Sequence, residues 1–146
     1  MTKHTKKLLS FTLIICMLTA AISSTNFYGS NIMPRYNNVS NASLYTTAAD
    51  NGLLTIQYDY IGSANITTKA VITTYIEKQH LGFLWLRVDI DTSNNEWVHT
   101  VNKAQYNGTR TFWLPSKGTY RTTVIYEISG TGGATDTITC QHTVTY

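Results

Sequence analysis

The chain has 146 residues, of which 42% are hydrophobic, 12% aromatic and only 13% charged. That balance excludes a disordered or coiled-coil chain, both of which carry more charge and fewer aromatics. Two prolines and nine glycines exclude a collagen-like or proline-rich one, and the length suits one domain.

The first seven residues hold Lys3, Lys6 and Lys7, and the uncharged apolar run Leu8 to Ile22 follows, then Ser23 and Ser24. This is the charged, apolar and small-residue order of a secretory signal peptide. At about 15 residues the run is short for a spanning helix, which needs roughly 20. Residues 1–23 are therefore expected to be a cleaved signal peptide, with cleavage between Ala20 and Thr25. Three of the eleven Lys and Arg residues leave with it, so eight remain against eight Asp and Glu. A near-neutral mature chain without a basic cluster argues against nucleic acid or an anionic membrane as partner. Cys16 lies within the apolar run behind Ile15, which is not the small residue that lipidation wants. Cys140 is then the sole cysteine of the exported chain, and no internal disulfide is expected. No sorting motif or second apolar span follows, so the product is expected to be released, secreted and extracellular.

Residues 24–39 mix Ser, Asn, Gly and Pro without periodicity and read as a flexible lead-in. Residues 40–146 read as the folded domain. From there the hydrophobic period is 2 nearly throughout, with Thr, Val, Ile and Tyr prominent, which predicts an all-β chain. Strands are expected at Ala42 to Ala49, Leu53 to Ile61, Thr67 to Lys78, Phe83 to Ile90, Glu96 to Lys103, Thr119 to Ile128 and Asp136 to Tyr146. A short further strand or continuation is expected at Thr109 to Leu114, after a turn at Tyr106-Asn107-Gly108. The inward sets are Leu54, Ile56, Tyr58 and Tyr60; Ala70, Ile72, Thr74 and Ile76; Leu84, Leu86, Val88 and Ile90; Tyr120, Thr122, Val124, Tyr126 and Ile128; and Ile138, Cys140, His142 and Val144. About seven strands with glycine-rich turns predict an antiparallel β-sandwich.

Leu114-Pro115-Ser116-Lys117-Gly118-Thr119-Tyr120 resembles the tyrosine corner of immunoglobulin-like and fibronectin-III-like sandwiches. There a tyrosine opening the sixth strand bonds back to upstream backbone. The resemblance implies that role for Tyr120. Thr122 stands where the antibody-type second cysteine would be, the second strand has no cysteine and the third has no tryptophan. The blocks TTKAVITTYIEKQ, LGFLWLRVD and GTYRTTVIYEISGTGG are similar to a group of uncharacterised small secreted proteins of Gram-positive anaerobes. That likeness implies a bacterial secreted sandwich and transfers no functional residue.

The chain offers no clear constellation for catalysis. There is no Gly-x-Ser-x-Gly elbow, and nothing brings His80, His99 or His142 to a carboxylate. Asp59, Glu77, Glu127 and Asp136 are expected on outer faces or a loop, not as the facing pair that glycoside hydrolysis needs. Asp89 to Glu96 alternates oxygen ligands but lacks the sharp glycine and the carboxylate count of a calcium loop, so an Asx-rich turn is expected. The first two strands lack lysine and the last lacks asparagine, which excludes a Lys–Asn isopeptide bond. Cys140 is expected to be a small buried hydrophobe rather than an interchain bridge. The sequons at Asn38, Asn41, Asn65 and Asn107 matter only in a eukaryotic secretory pathway. No catalytic residue, metal or cofactor is assigned.

One outer face stands out. If the third and fourth strands form a hairpin, inward parity pairs Ile76 with Leu84 and Ile72 with Val88. Tyr75 then lies opposite Trp85, with Glu77 opposite Phe83, and Val71 and Ile125 flank them. Tyr75, Phe83 and Trp85 are either covered by local structure or form the candidate ligand-binding surface, since exposed apolar patches often mark binding sites. The expected function is a secreted, non-catalytic binding protein for an extracellular protein or glycan. The alternatives are a self-associating structural component, suggested by the Thr-rich last strand, a carbohydrate-binding module, and a small hydrolase or toxin.

Overall fold

A computed structural model describes residues 36–146. The expected signal peptide, and all but the last four residues of the expected lead-in, lie outside the described residues. The described chain is all-β, with no helix among the described residues and eight strands. These are β1 (Val39–Ala48), β2 (Leu53–Gly62), β3 (Thr67–His80), β4 (Leu84–Arg87), β5 (Trp97–Val101), β6 (Gln105–Trp113), β7 (Thr119–Gly130) and β8 (Asp136–Thr145). They form two antiparallel sheets, β1-β2-β6 and β4-β3-β7-β8, with β5 also on β3. Because β7 covers β3 from Thr67 to Lys78, β4 and β5 must share the other edge of β3. A strand of fourteen residues is long enough for both.

The two sheets pack as a β-sandwich, and strict alternation builds its core. Leu54, Ile56, Tyr58 and Tyr60 of β2 are buried against Ala70, Ile72 and Ile76 of β3 and Tyr120, Val124, Tyr126 and Ile128 of β7. Ile138, Cys140 and Val144 of β8 are half-buried and seal one side. The buried tyrosines need partners for their hydroxyls, since an orphaned buried polar group is costly. Tyr126 donates to the Ser43 carbonyl at 2.5 Å, joining β7 to β1 across the sheets. Tyr60 donates to the Lys103 carbonyl at 2.7 Å. Tyr120 donates to the Ser116 carbonyl at 2.6 Å, four residues upstream, which is the bond expected of the corner. Thr122, also fully buried, has a hydroxyl with no partner.

Three expectations change. Tyr106-Asn107-Gly108 is not a turn but part of β6, paired with β2 through Tyr58↔Gly108. Glycine is there for space: a Cβ on Gly108 would sit 2.6 Å from the Tyr106 ring and 2.9 Å from the Tyr58 ring. The β3–β4 hairpin pairs His80 with Leu84 and Gln79 with Trp85, not Ile76 with Leu84. Its loop is Leu81-Gly82-Phe83, where Leu81 (φ 52°) and Gly82 (φ 79°) take left-handed conformations and let β3 run on to His80. Leu84 and Leu86 are consequently 43% and 45% exposed instead of core. This end of β3 overhangs the sandwich, and β4 packs substantially on β3 alone. Val88 and Ile90 do reach the core, although β4 ends at Arg87.

The last residues of the lead-in are tied down. Asp136 accepts backbone N–H bonds from Asn37 (3.0 Å) and Asn38 (2.5 Å). The fully buried Asn38 amide donates to the Ala134 carbonyl at 2.8 Å and accepts from the Gly132 N–H at 3.2 Å.

Candidate functional site

The outer face of the β3 sheet carries two of the three candidate residues. The hairpin sum has shifted by four residues, an even number, so Tyr75 and Trp85 keep their outward parity but are no longer opposite each other. Trp85 pairs with Gln79, and Glu77 pairs with Arg87 on one side and Arg121 on the other. Glu77 therefore lies between the two rings, and its charge organises them.

Arg121 holds Glu77 with Nη2 at 2.8 Å and Nε at 2.9 Å. Fixed this way, its guanidinium lies 4.4 Å from the centre of the Trp85 ring. Arg87 lies 3.4 Å from the centre of the Tyr75 ring and reaches Glu96 at 3.3 Å. Both rings are half-buried. A guanidinium over an indole or phenol is worth about 0.5–1 kcal/mol at exposed sites, and arginine can stack and make an ion pair together. The two aromatics are thus capped, not presented as a bare stacking platform.

Phe83 stands apart. It is in the hairpin loop rather than on the outer face of a strand, and it is 74% exposed. Around it are Leu81, 84% exposed, and the displaced Leu84 and Leu86. Sequence alternation assigned the two leucines to the core. The signal available for the tip was the left-handed demand of a tight Leu-Gly loop. The structure therefore separates the candidate surface into a capped Tyr75–Trp85 face and an apolar hairpin tip at Phe83.

Other polar candidates are satisfied locally. Asp89 accepts from the Asp91 N–H at 3.1 Å, and the Asn95 amide accepts from the Ile90 N–H at 3.3 Å. In the Asp89–Glu96 loop, Asp89, Thr92 and Asn95 thus bond to the loop's own backbone, and the Asn94 carbonyl and Glu96 carboxylate accept from Arg87. His142 Nδ1 is 2.6 Å from Thr46 Oγ1 and its ring lies 5.3 Å from that of Tyr45. Among the described residues no group of three or more His, Cys, Asp or Glu is placed to hold a metal ion. Cys140 is half-buried with Sγ 3.8 Å from the Ala42 carbonyl, and burial pushes its thiol above the ordinary value, with Asp59 adding to the effect. No family model matches the chain, and no curated protein matches it.

Proposed function

We propose that this chain is an exported, non-catalytic binding protein that grips a partner protein through the tip of its β3–β4 hairpin. The observation that carries the reading is the exposure of Leu81, Phe83, Leu84 and Leu86 within six consecutive residues. Leaving that much apolar surface wet is unfavourable, and such patches commonly mark interaction sites. Export is supported by the lysines, apolar run and small residues of the first 24 positions. The immunoglobulin-like type is supported by the strand order and by the Tyr120–Ser116 bond, with β1-β2-β6 facing a sheet centred on β3-β7-β8.

A photo-crosslinking residue in place of Phe83, in the protein released by its producing cells, tests the proposal. A heterologous adduct that is absent when the same residue replaces Thr139 is the expected result. No adduct beyond the Thr139 control would overturn it.

Self-assembly is a second reading, favoured by β8. This edge strand has ten residues without lysine or proline, and its one charge, Asp136, is buried. Natural edges are usually blunted by such residues. An adduct from position 83 or 139 to a second copy of the chain, with sedimentation that rises with concentration, would favour this reading over the first.

A further inference from the structure

The outer face of the β1-β2-β6 sheet differs from its counterpart. Register places Ser43, Asp59 and Asn107 in one row, Tyr45, Gln57 and Thr109 in the next, and Thr47, Thr55 and Thr111 in a third. Nine outward positions carry a single charge, that of Asp59. A sheet face kept merely soluble usually carries lysine and glutamate on such positions.

At the Asp59 end this face opens into a pocket of about 470 Å³, lined in part by Asp59, Ile61, Lys103, Gln105 and Asn107. That volume is in the range of small-molecule sites. Lys103, Gln105 and Asn107 are exposed, and their side chains make no hydrogen bond within the described residues. Asp59 lines the pocket and accepts the Ser43 hydroxyl on Oδ1, and its other carboxylate oxygen has no hydrogen-bond partner among the described residues. Each side-chain amide offers both donor and acceptor, the lysine donates and the carboxylate accepts. The charges of Asp59 and Lys103 cancel, so the site has no preference for an ion of either sign. Ile61, 48% exposed, supplies an apolar wall.

We infer that this pocket binds a neutral sugar unit of an extracellular glycan. Adjacent ring hydroxyls present the alternating donors and acceptors that Asn107, Gln105 and Asp59 complement, and the C–H face of the ring packs on Ile61. The charge-free rows beyond Asp59 leave room for further sugar units along the sheet. The site lies at the end of the sandwich where β2 finishes and β6 begins, whereas the hairpin tip is at the opposite end. The two proposals therefore stand or fall separately.

Amide NMR spectra of the full chain, titrated with neutral sugars, test this. The panel is glucose, galactose, mannose, N-acetylglucosamine and the β-linked disaccharides of glucose and of N-acetylglucosamine. At least one is expected to give saturable shifts at Asp59, Ile61, Gln105 and Asn107, with a dissociation constant in the millimolar range, about that of a weak single site. Asn107→Ala and Gln105→Ala should each weaken that sugar about tenfold or more. Phe83→Ser should leave it unchanged, and the spectra themselves report whether each variant is folded. The inference is overturned by no saturable shift with any panel member, by shifts indifferent to both amide substitutions, or by shifts centred on Trp85 or the hairpin tip. It is equally overturned if glycine, a zwitterion suited to the Asp59–Lys103 pair, occupies the pocket and the sugars do not.

Discussion

The Tyr120–Ser116 bond gives a stability prediction that the geometry can scale. Tyr120→Phe removes one hydroxyl from a fully buried ring and leaves the rest of the side chain in place. The ring's approach to Lys78, whose Nζ lies 5.5 Å from its centre, survives the change. The acceptor belongs to Ser116, an exposed residue, so water can reach the freed carbonyl. The loss should then be that of one net neutral hydrogen bond, about 0.5–1.5 kcal/mol. Tyr126→Phe makes the internal comparison. Its acceptor, the Ser43 carbonyl, is in a half-buried residue and the bond crosses between sheets, so the loss should lie nearer 1–3 kcal/mol, roughly that of a buried acceptor left unpaired. With a urea slope of about 1–3 kcal/mol/M, each kcal/mol lowers the unfolding midpoint by roughly 0.3–1 M. Urea titrations followed by tryptophan fluorescence read both. An unchanged midpoint and slope for Tyr120→Phe would remove the corner assignment. A larger loss at Tyr120 than at Tyr126 would refute the argument from acceptor burial.

Three further outcomes follow from the core. Thr122→Val replaces a buried hydroxyl that has no partner by a methyl of the same shape, and should raise stability by up to about 1 kcal/mol in the same titration; a destabilised variant would mean the hydroxyl is bonded. Gly108→Ala should cost about 1–3 kcal/mol, because its Cβ would collide with the Tyr58 and Tyr106 rings, and Tyr106→Ala should relieve part of that cost when combined with it. Burial raises the Tyr58, Tyr60 and Tyr126 hydroxyls above their ordinary 10.0, so the folded state favours their neutral form. Their contribution is complete below that value and declines as pH rises past it, because the unfolded chain loses its protons first. The decline can be no steeper than about 1.4 kcal/mol per pH unit for any one tyrosine, and Tyr126→Phe should make the slope of midpoint against pH shallower; parallel slopes would contradict this.

Much of the sandwich is written in alternation. The even positions of β2, β3 and β7 face inward as their pattern requires, and Tyr120 could be singled out from seven residues. The hairpin shows the limit of that code. A side-chain period of two fixes register only to within an even shift. Pairing Ile76 with Leu84 and pairing His80 with Leu84 bury the same faces, and only the left-handed Leu81-Gly82 turn separates them. That error of four residues hid half of the site's chemistry, since it is the observed hairpin register that puts Arg87 opposite Glu77, while Arg121 reaches Glu77 from β7. Gly108 misled for a related reason. Asn-Gly is a strong local turn signal, but here the glycine answers to the ring of Tyr106, two residues before it on β6, and to that of Tyr58, opposite it on β2. The pocket beside Asp59 was equally out of reach, because it joins β2 to Lys103 and the start of β6, more than forty residues later.

The node at Asn38 sets an order of events for folding. Its neighbours Asp136, Ala134 and Gly132 lie 94 to 98 residues away, and His142 meets Thr46 at a separation of 96. These latches join the first strand to the last, so a chain that emerges N-terminus first cannot close them until nearly all of it is free. Closing so long a loop is entropically slow. The hairpins β1–β2 and β3–β4 close only short loops, whereas the seam along β1 and β8 needs almost the whole folded chain. A chain stopped short of Asp136 would keep an open edge on β7 and an unanchored Asn38, so the last eleven residues close both the sheet edge and the entry of the first strand.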